Sequence, residues 1–189
     1  MTIKKLGVAL FISTCCFSFS AFSKPTEVTV PMYLLTPVIV NNTDSTTKAE
    51  KNLPKEIGTI TFQNSQYGGL LITPDLHGLP PGMHGMHLHA MPSCDHDGKD
   101  AGSHYDPGHT GKHLGPYNPN GHLGDMPALY VDAKGIANHP VLSPRLTEKD
   151  LYGHAVIIHA GDDNYSDFPK PLGGGGDRIA CGVIKNQTK

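Results

Sequence analysis

Glycine and proline interrupt the chain throughout, and this feature constrains its fold more than any other. The sequence holds 22 glycines and 16 prolines among 189 residues, and both residue types disfavour the interior of a long helix. Between them lie short segments rich in β-branched and apolar residues. These segments predict strands at residues 28–34, 57–62, 70–73, 86–88, 128–131, 154–159 and 179–184. Many short strands bounded by turn residues favour an all-β sandwich or barrel.

The N-terminal segment has the pattern of a secretory signal. Lys4 and Lys5 precede an apolar run that ends at Phe22, and a small-X-small site that suits signal peptidase ends at Ser23. The run is interrupted by serine and threonine and is shorter than a bilayer-spanning helix requires. We therefore predict a removable signal peptide at residues 1–23, with no membrane anchor after its removal.

The remaining residues, 24–189, have the length of one domain, which we expect to be exported to the periplasm. The formal net charge of the whole chain is −2. Because the chain has no excess of basic residues, nucleic acid is not an expected partner.

The four cysteines fall into two pairs. Cys15 and Cys16 lie inside the predicted signal and are expected to leave with it, so Cys94 and Cys181 remain. In an oxidising compartment two cysteines most simply form one disulfide. Two buried free thiols are the alternative.

A pair of histidines lies in one predicted strand. His87 and His89 are two residues apart, and alternate residues of a strand point to the same face, so their two imidazoles converge. His159 ends the apolar run at residues 155–158 and can add a third nitrogen from a second strand. In a chain with 12 histidines such a pair also arises by chance, so the spacing alone leaves metal binding open.

Two long irregular segments, residues 91–126 and 161–177, have no periodic pattern. Loops of this length are usually functional or disordered. The first carries three histidines and one aspartate that together make a tetrahedral zinc set: His104, His113, His122 and Asp125. The alternative is that His122 and Asp125 are ordinary turn residues.

Six short segments, which include the histidines described above, follow one another in a specific order. They read Gly82-Met83-His84-Gly85-Met86-His87-Leu88-His89, Gly102-Ser103-His104-Tyr105-Asp106-Pro107, Lys112-His113-Leu114-Gly115-Pro116, Gly121-His122-Leu123-Gly124-Asp125, Gly153-His154-Ala155-Val156-Ile157-Ile158-His159-Ala160-Gly161 and Gly176-Asp177-Arg178-Ile179-Ala180-Cys181-Gly182-Val183-Ile184. With Cys94 between the first two, this series resembles the copper/zinc superoxide dismutases. The bacterial periplasmic branch is the most similar.

The resemblance implies an antiparallel Greek-key β-sandwich or flattened barrel with two long functional loops, and the dismutation of superoxide to oxygen and hydrogen peroxide. It implies copper on His87, His89, His104 and His159. It implies zinc on His104, His113, His122 and Asp125, with His104 shared by the two metals and taking part in catalysis. It also implies that Asp163 links a copper histidine to a zinc histidine, that Arg178 guides the substrate anion, and that Cys94 pairs with Cys181.

The chemistry of this reaction agrees with those ligands. One electron passes onto the enzyme and off again, so one metal must change oxidation state, which zinc does not do. An all-nitrogen site suits copper, because divalent copper binds nitrogen more tightly than the other first-row metals.

Two alternative functions and several partners stay open at this point. The chain could be a non-catalytic dismutase-like module that binds copper and zinc, or a secreted zinc hydrolase, although the zinc set is already complete. The sequence does not decide between a monomer and a homodimer. Four histidines are surplus to the two metal sites, and a further hypothesis assigns them another metal or haem at a subunit contact: His77, His96, His109 and His139.

Overall fold

A computed structural model describes residues 27–35 and 54–186, so the predicted signal at residues 1–23 lies outside the described part. Ten strands follow one another in the order β1 (Glu27–Leu34), β2 (Glu56–Asn64), β3 (Leu70–His77), β4 (Gly82–His84), β5 (Met86–His89), β6 (Leu129–Val131), β7 (Ile136–Ala137), β8 (Val141–Ser143), β9 (His154–His159) and β10 (Arg178–Ile184). Short 3₁₀ turns lie at Lys99–Ala101, Glu148–Asp150 and Leu172–Gly174. Within these described ranges no α-helix forms, and no helix could cross a membrane.

The strands form one large antiparallel sheet and one small one. The large sheet has the order β5-β9-β10-β1-β2-β3-β7, with β8 also paired to β3, and the small sheet joins β4 to β6. Leu88 of β5 and Ile72 of β3 lie far apart in this order, yet both belong to the same buried core. The sheet therefore curls around its core, which confirms the prediction of an all-β antiparallel barrel.

All seven predicted strands are present, but three further strands were not predicted. β4, β7 and β8 are only two or three residues long, too short to show an alternating pattern. The prediction that the third strand ends at residue 73 is wrong, since β3 continues through Pro74 to His77. Pro74 lies in the middle of β3, opposite Ile60 of β2, and its ring is buried.

The register of β5 against β9 separates the residues predicted to bind metal from the core. Met86 pairs with Ile158, whereas His87 pairs with Ile157. Directly paired residues share one face of a sheet, so Met86 and Ile158 face the core and His87 faces the other side. Ile157 on that side packs in a second buried cluster with Cys181.

The free edge of β5 pairs with the irregular chain instead of another strand. Leu88 N donates to Gly124 O at 2.9 Å, and Tyr105 N donates to Leu88 O at 2.8 Å. A Cβ on Gly124 would lie 2.3 Å from Leu88 O, so this close approach requires glycine. Ala90 N also donates to Ser103 O at 2.9 Å. Through these bonds the sheet edge fixes the segments that carry His104 and Asp125.

The predicted disulfide is present and replaces the free-thiol alternative. Cys94 and Cys181 are bonded with their Cα atoms 5.8 Å apart. The bond attaches the loop before His104 to β10. Arg178 at the start of β10 strengthens this attachment, because Nη1 donates to Gly98 O and Nη2 donates to Gly102 O at 2.6 Å.

The disulfide should contribute a large part of the stability. It joins residues separated by 87 positions, and the chain-entropy model gives such a loop about 4.6 kcal/mol of stabilisation through the unfolded state. We predict that the double substitution Cys94→Ser with Cys181→Ser lowers the free energy of unfolding by about this amount. Urea unfolding of the metal-free protein measures the change, with Ser93→Ala as a control. A loss below about 1 kcal/mol would contradict the prediction.

Candidate metal centre

Four buried histidines form the first cluster of candidate ligands. His87 and His89 come from β5, His159 ends β9, and His104 comes from the loop paired to the edge of β5. One nitrogen of each ring lies within 4.8 Å of the others. The structure thus brings together the four residues predicted to bind copper.

Hydrogen bonds at the far side of each ring fix the orientation of this cluster. His87 Nε2 donates to Asp163 Oδ2 at 2.8 Å, His89 Nδ1 to Gly102 O at 2.9 Å, and His159 Nδ1 to Gly176 O at 3.1 Å. In each ring the opposite nitrogen is buried without a hydrogen-bond partner. A neutral imidazole that donates through one nitrogen presents a lone pair at the other.

Three lone pairs that converge in a buried space are costly without a partner, and a cation that prefers nitrogen supplies that partner. This donor set fits copper.

Three histidines surround one aspartate in the second cluster. His104, His113, His122 and Asp125 have ligand atoms within 4.8 Å of one another and are all buried. Oδ1 of the carboxylate is the common centre, with Nδ1 of His104 at 2.9 Å, of His113 at 3.1 Å and of His122 at 3.3 Å. Three nitrogens and one oxygen are the ligands that zinc prefers in tetrahedral sites.

The geometry of His113 indicates that the nitrogen and oxygen lone pairs of the second cluster converge on one point. Its Nδ1 is close to Asp125 Oδ1, yet the angle is not that of a hydrogen bond and this buried nitrogen has no partner. The other oxygen of Asp125 is held in place, since Leu114 N and Gly115 N donate to Oδ2 at 3.2 and 3.3 Å. The second cluster therefore fits zinc.

A buried carboxylate connects the two clusters. Asp163 accepts from His87 Nε2 through Oδ2 and from His113 Nε2 through Oδ1, both at 2.8 Å. Its Oδ1 also accepts from Tyr165 N at 2.8 Å, so Asp163 shapes its own turn as well. Gly173 makes room for it, because a Cβ there would lie 2.1 Å from Oδ1.

In the metal-free protein, burial lowers the pKa of some of the clustered histidines, whereas nearby carboxylates raise the pKa of His113. Burial, followed by repulsion from His104, lowers the pKa of His87 to about 3. Burial also lowers the pKa of His159 to about 4. At His113 burial acts in the same direction, but the adjacent carboxylates of Asp125 and Asp163 outweigh it and raise the pKa to about 9.

The two carboxylates are strongly acidic. Burial alone would raise the pKa of Asp125, but the hydrogen bond from His104 and the adjacent ring of His113 outweigh burial and hold that pKa far below its usual range. The pKa of Asp163 is likewise held low against burial by hydrogen bonds from His113 and His87. Both groups are therefore charged at neutral pH.

A channel leads from solvent to the first cluster. It is a cavity of about 260 Å³ lined by His89, Ser103, His104, His159, Pro171, Leu172, Gly176 and Arg178. Within the described chain Arg178 forms no ion pair and donates only to carbonyl oxygens. Its positive charge therefore faces the channel without a neutralising carboxylate.

The remaining histidines lie outside the two clusters. His84 is buried with its ring nitrogens 2.8 Å from Pro80 O and from His159 O, so it connects the segment before β4 to the end of β9. His154 Nδ1 contacts the carbonyl oxygens of His89 and Ala90 at 3.1 and 3.0 Å. The four surplus histidines are exposed, and no ligand cluster among the residues described includes one of them: His77, His96, His109 and His139.

Sequence reasoning missed three residues that hold the site together. Asp167 Oδ2 accepts from His113 N at 2.9 Å, Gly173 makes room for Asp163, and Arg145 donates to three carbonyl oxygens of the loop that carries the second cluster. An Asp in a turn and a Gly in a glycine run are weak local signals. No local signal marks Arg145.

Comparison with known proteins gives a consistent family. The family model for copper/zinc superoxide dismutase matches residues 56–184. A Cu-Zn superoxide dismutase of Photobacterium leiognathi is 54% identical over 139 residues, which cover 69% of this chain and 80% of that protein. One from Legionella pneumophila is 48% identical over 183 residues, 97% of this chain and all of that protein. The structure of the enzyme from Brucella abortus has a TM-score of 0.72 at 40% identity, covering 85% of this chain and all of that one.

Because the pKa values of His87 and His159 are lowered and that of His113 is raised, we predict that the metal-free protein is most stable near pH 6.5. On acidification, His87 and His159 stay neutral in the folded state but gain protons in the unfolded state, so stability falls by about 1.4 kcal/mol per pH unit for each group. Above pH 6.5 the unfolded chain loses the proton that folded His113 keeps to about pH 9, so stability falls again.

Urea unfolding followed by tyrosine fluorescence, from pH 4.5 to pH 9, measures this profile. The substitution His113→Asn should flatten the alkaline side and preserve the acid side. A free energy of unfolding that stays constant from pH 6.5 to pH 4.5 would contradict the prediction.

Proposed function

Because the chain belongs to the copper/zinc superoxide dismutase family, we propose that its two histidine clusters are the copper and zinc sites of that enzyme. The proposed copper ligands are His87, His89, His104 and His159. The proposed zinc ligands are His104, His113, His122 and Asp125.

The reaction is the dismutation of two superoxide anions, with the uptake of two protons, to oxygen and hydrogen peroxide. Copper supplies the one-electron chemistry by changing between two oxidation states, and zinc supplies a fixed charge. The observation that carries the assignment is the set of three buried ring nitrogens without hydrogen-bond partners, on His87, His89 and His159. Each of these rings is locked from its far side, so the donor set exists before a metal binds.

His104 belongs to both clusters and lines the channel. Its Nδ1 lies 2.9 Å from Asp125 Oδ1 on the zinc side, so Nε2 at the other edge of the ring serves the copper side. When Nε2 is free it can hold a proton beside the arriving anion. We propose that His104 delivers this proton as peroxide forms.

Arg178 and Asp163 have different tasks. The guanidinium of Arg178 carries a permanent charge and lines the channel, where it binds and orients a small anion. The chain as a whole has a formal charge of −2, so attraction for superoxide comes from this local positive potential. Asp163 lies behind the metal ligands, where it orients the rings of His87 and His113.

Enzymatic function is favoured over a non-catalytic copper/zinc-binding module. The relatives named above are called superoxide dismutases. Metal storage also has no need for an unpaired arginine in a channel or for a histidine shared by two ligand clusters. The secreted zinc hydrolase is not supported by the family to which the chain belongs.

We further propose that the protein works in the periplasm after removal of residues 1–23. The sequence pattern of that segment supports export, and the Cys94–Cys181 disulfide suits an oxidising compartment. A homodimer stays a prediction, as does another metal or haem on the surplus histidines.

The shared histidine is the sharpest test of the proposed function. We predict that His104→Ala keeps copper on the three remaining ligands but consumes superoxide on the order of 100-fold more slowly, because the proton donor is lost, and that it binds zinc more weakly. Metal analysis and pulse radiolysis measure the two effects, with the exposed His77→Ala as the matched control. Unchanged rapid turnover in His104→Ala would contradict the role of this ring.

Export gives a separate prediction. Expressed with its own N-terminus in a Gram-negative host, the protein should appear in the periplasmic fraction with Lys24 as its first residue. The substitution Ala21→Arg should block cleavage, because signal peptidase requires a small residue there. N-terminal sequencing and intact mass measure the outcome, and a cytoplasmic protein that begins at Met1 would contradict it.

A further inference from the structure

One guanidinium joins both arms of the loop that carries the zinc cluster. Arg145 Nε donates to Pro116 O at 3.0 Å, Nη1 donates to Gly121 O at 3.2 Å, and Nη2 donates to His122 O. Pro116 lies on the outgoing arm, three residues after His113, whereas Gly121 and His122 lie on the returning arm. Arg145 therefore spans the chain reversal between two groups of zinc ligands.

The backbone of Arg145 is fixed to the barrel. Ser143, two residues earlier, is buried in β8 and pairs with Leu70 of β3. Leu146, the next residue, is completely buried in the main core. The guanidinium thus attaches the loop to the β3–β8 end of the large sheet, while Gly124 attaches it to β5 at the other end.

The contacts of Arg145 require an arginine fork and are not those of an ion pair. All three acceptors are carbonyl oxygens, and no carboxylate oxygen in the described ranges lies within salt-bridge distance of this side chain. A guanidinium presents five donors in one rigid plane, whereas lysine presents a single flexible ammonium. One lysine cannot reproduce three contacts on two arms.

The spacing of the two arms determines the zinc cluster. His122 N donates to Lys112 O at 2.9 Å, and Leu114 N donates to Asp125 Oδ2 at 3.2 Å, so the outgoing arm positions both ligands of the returning arm. The loop has no regular secondary structure to preserve this spacing. When a loop is already ordered before the metal binds, the free energy of metal binding does not have to offset the entropy lost on ordering the loop. The affinity for the metal is then higher.

We propose that Arg145 is a positioning residue for the zinc site, which sets zinc affinity by clamping both arms of the loop at residues 112–125 to the barrel. This proposal rests on the assignment of His122 and Asp125 as zinc ligands. It predicts an effect on the metal that is separate from any effect on global stability.

The test compares Arg145→Lys and Arg145→Met with the wild type. Zinc affinity is measured on copper-free protein with the disulfide intact, by competition with a chromophoric chelator. The visible spectrum of Co²⁺ at saturation in the zinc site reports the ligand geometry. Lys149→Met is the matched control, because it removes an exposed cation four residues further along the chain.

We expect zinc affinity to fall about tenfold or more in both Arg145 variants, as for residues that orient metal ligands, with altered Co²⁺ band intensities. Lys149→Met should match the wild type. Arg145→Lys keeps the charge and the aliphatic stem, so it provides the measurement if Arg145→Met does not fold. A folded variant with lower thermal stability but wild-type zinc affinity and Co²⁺ spectrum overturns the proposal.

A parallel variant separates this proposal from the assignment of the site. If His122→Asn weakens zinc binding and the Arg145 variants do not, the clamp is wrong and the zinc site stands. If His122→Asn leaves zinc affinity unchanged, the ligand assignment is wrong and the clamp falls with it.

Discussion

The metal centre depends on the free edge of β5. A sheet edge leaves backbone groups unpaired, and here the ligand-bearing loops satisfy them through Leu88, Ala90, Ser103, Tyr105 and Gly124. Because these are backbone bonds, they place the loops with the precision of a sheet even though the loops have no strand pattern of their own. The same strand carries His87 and His89, so the proposed ligands on the strand and the proposed ligands on the loops share one frame.

Within that frame each ring is locked from behind. Carbonyl or carboxylate acceptors occupy one nitrogen of His87, His89 and His159, which leaves the other nitrogen free for the proposed metal. Buried polar atoms normally find partners inside the protein, so three unsatisfied nitrogens at one point are a cost that the fold bears for function. Asp163 extends this order between the clusters, and Gly173 leaves the space that its carboxylate occupies.

The sequence predicts features that depend on periodicity and misses those that depend on tertiary contact. The shared face of His87 and His89 follows from strand alternation, and the strand that ends at His159 follows from its apolar run. The loop that carries the proposed zinc ligands has no periodic pattern, so the prediction of those ligands depended on the resemblance to the family. Arg145 was missed because its acceptors are carbonyl groups, which every residue has, and they lie 23 to 29 positions earlier in the chain. Likewise, β4, β7 and β8 are too short for a pattern to emerge.

One carbonyl group explains why the disulfide matters to the site. Gly102 O accepts from His89 Nδ1 and from Arg178 Nη2, and a carbonyl oxygen has two lone pairs to do so. It therefore orients a proposed copper ligand and the proposed anion guide together. The Cys94–Cys181 bond fixes the loop that presents this oxygen to β10, the strand on which Arg178 lies. The covalent link thus acts on the position of Arg178 relative to the proposed copper ligand His89, in addition to its effect on the unfolded chain.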